Sequence, residues 1–68
     1  MLIVALQDDV DNLFAIYDTV RDRFVGVNLE EDCAIERIMN YKSCSREVAY
    51  SRVKHPQPFM DIARAIES

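Results

Sequence analysis

Over the first 28 residues, the apolar positions fit either short β-strands or one helix. As strands, Met1 to Leu6 and Leu13 to Tyr17 are apolar runs, and residues 24–29 alternate between two sets of side chains. The turns between them, residues 8–12 and 18–23, are rich in aspartate. As a helix, the same segment gathers its apolar residues on one side: Val10, Leu13, Phe14, Tyr17, Val20 and Phe24.

Local chemistry favours the strands. In the helix, Arg21 would project from the apolar stripe, and the many β-branched and aromatic residues would lose side-chain freedom. In the strand interpretation, a hairpin leads directly into a helix with an acidic first turn, so the local preferences of successive segments are compatible with one fold. We therefore predict strands over the N-terminal segment.

A helix is predicted from about residue 30 to residue 42. Asn28 is placed to cap it, with Glu31 as the reciprocal acidic member of a capping box. Acidic residues crowd the first turn and Lys42 lies in the last, as the helix dipole favours. The expected core positions recur at helical spacing: Ala34, Ile35, Ile38 and Met39.

The C-terminal third contains a joint and a short helix. Pro56-Gln57-Pro58 ends whatever precedes it, because proline removes a backbone donor and restricts the residue before it. After this joint, Phe59 to Glu67 has the apolar spacing of an amphipathic helix. The alternation in Ser45 to Lys54 predicts one more strand, although Ser45-Arg46-Glu47 would also start a helix.

These elements predict a single α+β domain over residues 1–68. A small antiparallel sheet, built from the N-terminal strands, would pack on one central helix and a short C-terminal helix. The alternative is an all-α bundle of three to four short helices. A chain of 68 residues buries only about 60% of its unfolded surface, so its stability should be low and self-association is a serious option.

Composition narrows the classes of partner. Half of the residues are hydrophobic and three are Gly or Pro, which favours a folded domain over disorder. The net charge of −4 makes nucleic acid a poor partner. The apolar start lacks a positively charged leader and is too short to cross a bilayer, so we expect no membrane and a cytoplasmic location.

The residues that could do chemistry are few and widely spaced. Cys33, Cys44 and His55 are separated by eleven positions each, whereas structural zinc ligands come in close pairs. We expect no metal, no cofactor and two reduced, mostly buried cysteines. The acidic pairs suit turns and helix starts better than acid–base catalysis, and one glycine cannot build a phosphate loop. The chain is predicted not to be an enzyme.

Two stretches are predicted to contact a partner protein. The first is acidic and aromatic, and its members are Asp11, Phe14, Tyr17, Asp18, Asp22 and Phe24. The second is the least acidic part of the chain and contains Arg46, Tyr50 and Arg52. The same aromatics could instead form the core, and the basic stretch could be a solvated face. An exposed strand edge would also allow a homodimer.

Residues 13–39 carry a family resemblance. From Leu-Phe-Ala-Ile-Tyr-Asp to Glu-Asp-Cys-Ala-Ile-Glu-Arg-Ile-Met, they resemble the hairpin-then-helix core of small phage-encoded accessory proteins, such as the nonstructural proteins of small single-stranded DNA phages. The resemblance covers about 40% of the chain and lacks the family's Pro-Phe element in the second strand. It implies a small protein that binds a host or viral partner in the host cytoplasm, with no catalytic residues to carry over.

Together these expectations describe a non-enzymatic protein–protein interaction module, with an inhibitor or regulator that occludes a partner as its most specific form. A small DNA-binding regulator is the alternative, since residues 36–53 resemble a degenerate helix-turn-helix without its usual turn glycine. A structural homo-oligomer is the third.

Overall fold

Three strands followed by three helices make up the computed structural model, which describes residues 1–67. The elements are β1 (Leu2–Asp8), β2 (Leu13–Asp18), β3 (Arg23–Leu29), α1 (Glu31–Lys42), α2 (Arg46–Lys54) and α3 (Phe59–Glu67). The strands form one antiparallel sheet in the order β1-β2-β3. The predicted α+β class is confirmed, and the all-α alternative is excluded.

Both hairpin loops are built in the same way around an aspartate at the end of a strand. The Asp8 carboxylate accepts hydrogen bonds from the amides of the second and third residues after it, at 2.9 and 3.3 Å. Asp18 does the same at 2.9 and 3.2 Å. Each loop then returns through a residue with positive φ, Asn12 or Asp22, which are residue types that tolerate this conformation.

β3 contains two bulges, which correct one prediction. One lies at Val25, and the other at Asn28, where φ is 53°. Asn28 therefore belongs to the sheet and does not cap α1: its amide donates to the side chain of Gln7, and its side chain accepts a hydrogen bond from Gln7. The N-cap of α1 is Glu30, which makes no side-chain capping bond, so the predicted capping box is absent.

Most of the core lies between the sheet and the pair α1 and α2. Alternate residues of a strand face opposite sides, and the residues facing this side are apolar except for Asp18 at the end of β2. The buried members of this cluster are Leu2, Val4, Phe14, Ile16, Ala34, Ile35, Ile38, Ala49 and Val53. The predicted core residues of α1 are confirmed at Ala34, Ile35 and Ile38, and Met39 packs against them half-buried.

The opposite side of the sheet is covered by α3 alone. Ile62, with 0% exposure, packs against a small cluster from β1 and β2 that consists of Ile3, Ala5, Ala15 and Tyr17. β1 and β2 are thus apolar on both faces, which explains why they appear in the sequence as continuous apolar runs.

The strand predicted for Ser45 to Lys54 is wrong, because this segment is α2. Ser45 caps the helix: its hydroxyl oxygen accepts from the amide of Val48 at 3.3 Å. Ala49 and Val53 are buried four positions apart, a spacing that fits one helix face as well as one strand face. The turn from α1 uses Ser43, whose φ is 52°.

The proline joint is confirmed, and it also extends the sheet. Between Pro56 and Pro58, the amide of Gln57 donates to the carbonyl of Val4 at 2.8 Å, and Gln57 forms a parallel bridge with Ala5. The chain therefore passes along β1 before α3 begins at Phe59 on the other side of the sheet.

Candidate functional site

The structure divides the predicted acidic and aromatic stretch into buried and exposed parts. Phe14, Tyr17 and Asp18 are buried at 6%, 3% and 6% exposure, so in this fold they are core residues and cannot contact a partner directly. Asp11, Asp22 and Phe24 are exposed. The core interpretation that the sequence also allowed therefore applies to half of this stretch.

Tyr17 links the buried and exposed parts. Its hydroxyl donates a hydrogen bond to the Asp22 carboxylate, and its ring meets that of Phe24 edge-to-face, with centroids 5.0 Å apart. The hydrogen bond to Asp22, with burial and the nearby negative charges, raises the pKa of Tyr17 to about 12. Phe24 thus packs on a buried tyrosine that stays neutral at ordinary pH, and 39% of the Phe24 surface is exposed.

Asp18 has a structural role. Besides the two amides of its loop, it accepts a hydrogen bond of 2.5 Å from the hydroxyl of Tyr41 on α1. That bond, reinforced by the amides and the chain's terminal ammonium, lowers the pKa of the Asp18 carboxyl despite its burial. The same contact raises the pKa of Tyr41. The group joins the β2–β3 loop to α1.

The predicted basic stretch lies on α2, where its cations are mostly engaged within the chain. The Arg52 guanidinium donates to the carbonyl of Leu2 at 2.5 Å. Lys54 pairs with Glu31 at 2.7 Å and lies 5.3 Å from the ring centroid of Tyr50. Its pKa is raised, chiefly by the hydrogen bond to Glu31. These contacts stabilise the attachment of α2 and leave few positive charges for a ligand.

Arg46 and Tyr50 remain accessible on the outer side of α2. Arg46 makes only a long ion pair with Asp32, at 4.0 Å between exposed side chains, which contributes little. Together with Glu47, Arg46 and Tyr50 line a shallow surface depression of about 270 Å³. The structure thus brings two of the three predicted residues of this stretch together.

A group of exposed apolar residues, not predicted from the sequence, lies on the side of the sheet that α3 covers. Phe24 and Val27 of β3 point to this side beyond the cover of α3, and α3 itself exposes part of its apolar stripe. We call this surface the α3 face and define it by its exposed apolar residues, Phe24, Val27, Phe59, Met60 and Ile66. The sequence feature that could have indicated this surface is the wide apolar stripe of residues 59–66, because Ile62 is the one residue of that stripe that is fully buried.

The candidate metal-binding residues do not come together in one site within residues 1–67. Over residues 1–67 no three side chains of His, Cys, Asp or Glu are grouped so that they could bind a metal ion. Cys33 and Cys44 are free thiols; Cys33 is exposed, contrary to the expectation of two mostly buried cysteines, and Cys44 is half-buried. No helix within the described part of the chain is long and apolar enough to span a bilayer.

Comparisons of the chain with protein-family models, with curated proteins and with solved structures gave no match.

Proposed function

We propose that this protein is a non-enzymatic interaction module that binds another protein through the α3 face. The observation that carries the proposal is the uneven cover of the sheet. Two helices bury one side, whereas a single nine-residue helix covers the other and leaves two phenylalanines, Phe24 and Phe59, about 40% exposed.

Several exposed apolar side chains on one side of a small domain favour an interaction site there. Aromatic residues and methionine are enriched in interface cores. The α3 face contains two phenylalanines and one methionine. Phe24 is an anchor suited to this role, since its edge-to-face contact with Tyr17 fixes its ring before a partner arrives.

The resemblance of residues 13–39 to phage accessory proteins supports the more specific form of the proposal. In that form the protein is an inhibitor or regulator, and the α3 face covers a functional surface of a host or viral protein. Phe24 lies in the resembling hairpin, whereas α3 lies outside it. In this form, residues 13–39 provide the core that resembles the phage proteins, and α3 provides the contacts that are specific to the partner of this protein.

A matched pair of variants tests the proposal. The double variant Phe24→Ser with Phe59→Ser removes the two aromatics of the α3 face, and Val48→Ser with Tyr50→Ser removes two similarly exposed residues of α2. We expect cross-linking in a lysate of the native host to recover one stoichiometric protein with the wild type and the α2 variant. The α3-face variant should lose it. Equal recovery by both variants would exclude the α3 face as the binding site.

A DNA-binding regulator is the second candidate, favoured by the connection between α1 and α2. Only residues 43–45 separate these helices, as in a helix-turn-helix. The engagement of Arg52 and Lys54 within the chain, and the net charge of −4, weigh against it. Fluorescence anisotropy with duplex DNA tests it. Binding that weakens steeply with salt and with Arg46→Ala would favour the regulator.

A further inference from the structure

We infer that the α3 face is covered by a second copy of the chain when no other partner is bound, so that the free protein is a two-fold symmetric dimer. The inference rests on the same face as the proposed function but on different observations: the order of side chains along α3, and the distribution of charge around it.

The apolar stripe of α3 is self-complementary. At 3.6 residues per turn, Phe59, Ala63 and Ile66 fall within an arc of about 60°. Ile62 and Ala65, which pack on the sheet, lie to one side of that arc. Phe59 and Ile66 are 42% and 51% exposed, and the smaller Ala63 lies between them.

Two such helices fit together when they run antiparallel. If the two-fold axis passes near Ala63, the small side chains meet at the crossing and the helices can approach closely. Phe59 of each copy then lies beside Ile66 of the other, so that the large residues fill the space on both sides of the axis. An isologous contact of this kind uses the same patch on both chains.

Charge around the α3 face permits this contact. The charged residues beside its apolar members along the chain are Asp22, Arg23, Asp61, Arg64 and Glu67, and their charges sum to −1. The other −3 of the net charge of −4 lies on the rest of the chain. Two copies meeting through this face repel each other less than they would through any acidic part of the surface.

The free edge of the sheet offers a poorer route to a dimer. β3 carries the two bulges, which disturb the ladder that another strand would need. Arg37 from α1 also donates a hydrogen bond of 2.6 Å to the carbonyl of Val25 within this strand. Packing through the α3 face is therefore favoured over strand addition.

The size of the chain sets the extent of the contact. A standard interface takes about 800 Å² from each partner. The accessible surface of this chain is 4537 Å², and a nine-residue helix provides too little of it alone. A contact of standard size would therefore also take in the β3 side of the α3 face, where Phe24 and Val27 are exposed.

A cysteine on the symmetry axis tests the geometry directly. In a background with Cys33→Ser and Cys44→Ser, the variant Ala63→Cys places one thiol opposite its own copy. We expect it to form a disulfide-linked dimer under mild oxidation, whereas Glu36→Cys, on the exposed side of α1, should stay largely monomeric. Equal cross-linking of the two variants would overturn the proposed contact.

Solution mass provides the second test. Sedimentation equilibrium of the wild-type chain should show a concentration-dependent dimer of twice 7.9 kDa. Ile66→Glu should raise the dissociation constant about tenfold or more, the change produced by losing about 1.4 kcal/mol. Val48→Glu, at a site with similar exposure on α2, should leave the constant unchanged. Circular dichroism confirms that each variant is folded.

The outcomes separate this inference from the proposed function. A wild-type chain that is monomeric at every concentration would overturn the dimer, and a dimer weakened equally by both glutamate variants would overturn its packing through the α3 face. Neither result would affect the capture of another protein through the α3 face, which is measured separately with the Phe24→Ser and Phe59→Ser variant.

Discussion

The Tyr41 hydroxyl donates a 2.5 Å hydrogen bond to the carboxylate of Asp18, across 23 positions of sequence. Asp18 ends β2 and organises the loop to β3, while Tyr41 lies in the last turn of α1. One side-chain pair thus ties the helix to the loop below Phe24, the residue through which we propose that a partner binds.

This pair should make stability depend on pH in the acidic range. The pKa of Asp18 is lowered from 3.8 in the folded chain, mainly by Tyr41. A depressed carboxyl pKa contributes stability above its unfolded value and loses it as the pH falls through the folded pKa. Urea unfolding should therefore show wild type more stable than Asp18→Asn at neutral pH, with a difference that shrinks below about pH 4. A difference that is constant with pH would contradict this role.

Ile62 should determine whether α3 stays attached. It is the one fully buried side chain of that helix, and Ile62→Ala should lower the free energy of unfolding by about 2–5 kcal/mol. Val48→Ala, half-exposed on α2, should change it by about 0.5 kcal/mol or less. Urea unfolding at low protein concentration measures both without a contribution from self-association. Similar losses for the two variants would show that α3 does not anchor through Ile62.

Adding a methyl group at Gly26 should lower the free energy of unfolding. A Cβ atom there would lie 2.6 Å from Cδ1 of Leu29 and 3.1 Å from Nη1 of Arg37. Since both are tips of flexible side chains, Gly26→Ala should cost about 1 kcal/mol, at the low end for overpacking. In a Leu29→Ala background the cost should fall, which a double-mutant cycle by urea unfolding would detect. If Gly26→Ala costs the same in that background, the cost arises from the backbone and not from the contact with the Leu29 side chain.

The turn between α1 and α2 should respond in opposite directions at two neighbouring serines. Ser45→Ala removes the cap of α2 and should cost about 1 kcal/mol. Ser43→Gly relieves a left-handed residue and should gain about 1 kcal/mol. Thermal unfolding measures both changes, with Ser51→Ala on the exposed side of α2 as the control. Changes of the same sign would show that this turn is not shaped by these two residues.

The sequence predicted most elements because their local signals agree with their burial. β1 and β2 are apolar runs bounded by aspartate-rich turns, and α1 has one clear apolar face. α2 was predicted as a strand, with a helix start at Ser45 as the alternative, because Ala49 and Val53, its two buried residues, fit both periods. The cap at Ser45 was the better signal, since a capping serine has no comparable role at the start of a strand.

The binding surface could be predicted only in part. Phe14, Tyr17 and Phe24 look alike in the sequence, yet the first two are buried and the third is half-exposed. Phe14 is buried beneath α1 and α2, whereas Tyr17 and Phe24 differ in how far α3 covers them, and the position of α3 depends on where the proline joint directs the chain. Asn28 was assigned to the wrong element for a related reason: its capping chemistry also suits the bulge in which it lies.

The pairing of Gln57 beside β1 has a consequence for aggregation. Sheets grow into fibrils by adding strands to an edge that presents free amides and carbonyls. The segment now bordering β1 offers a single pairing residue between two prolines, which have no amide hydrogens to donate to a further strand. Stacking from that edge is thereby hindered where Gln57 pairs, which makes the bulged strand β3 the more open edge for growth.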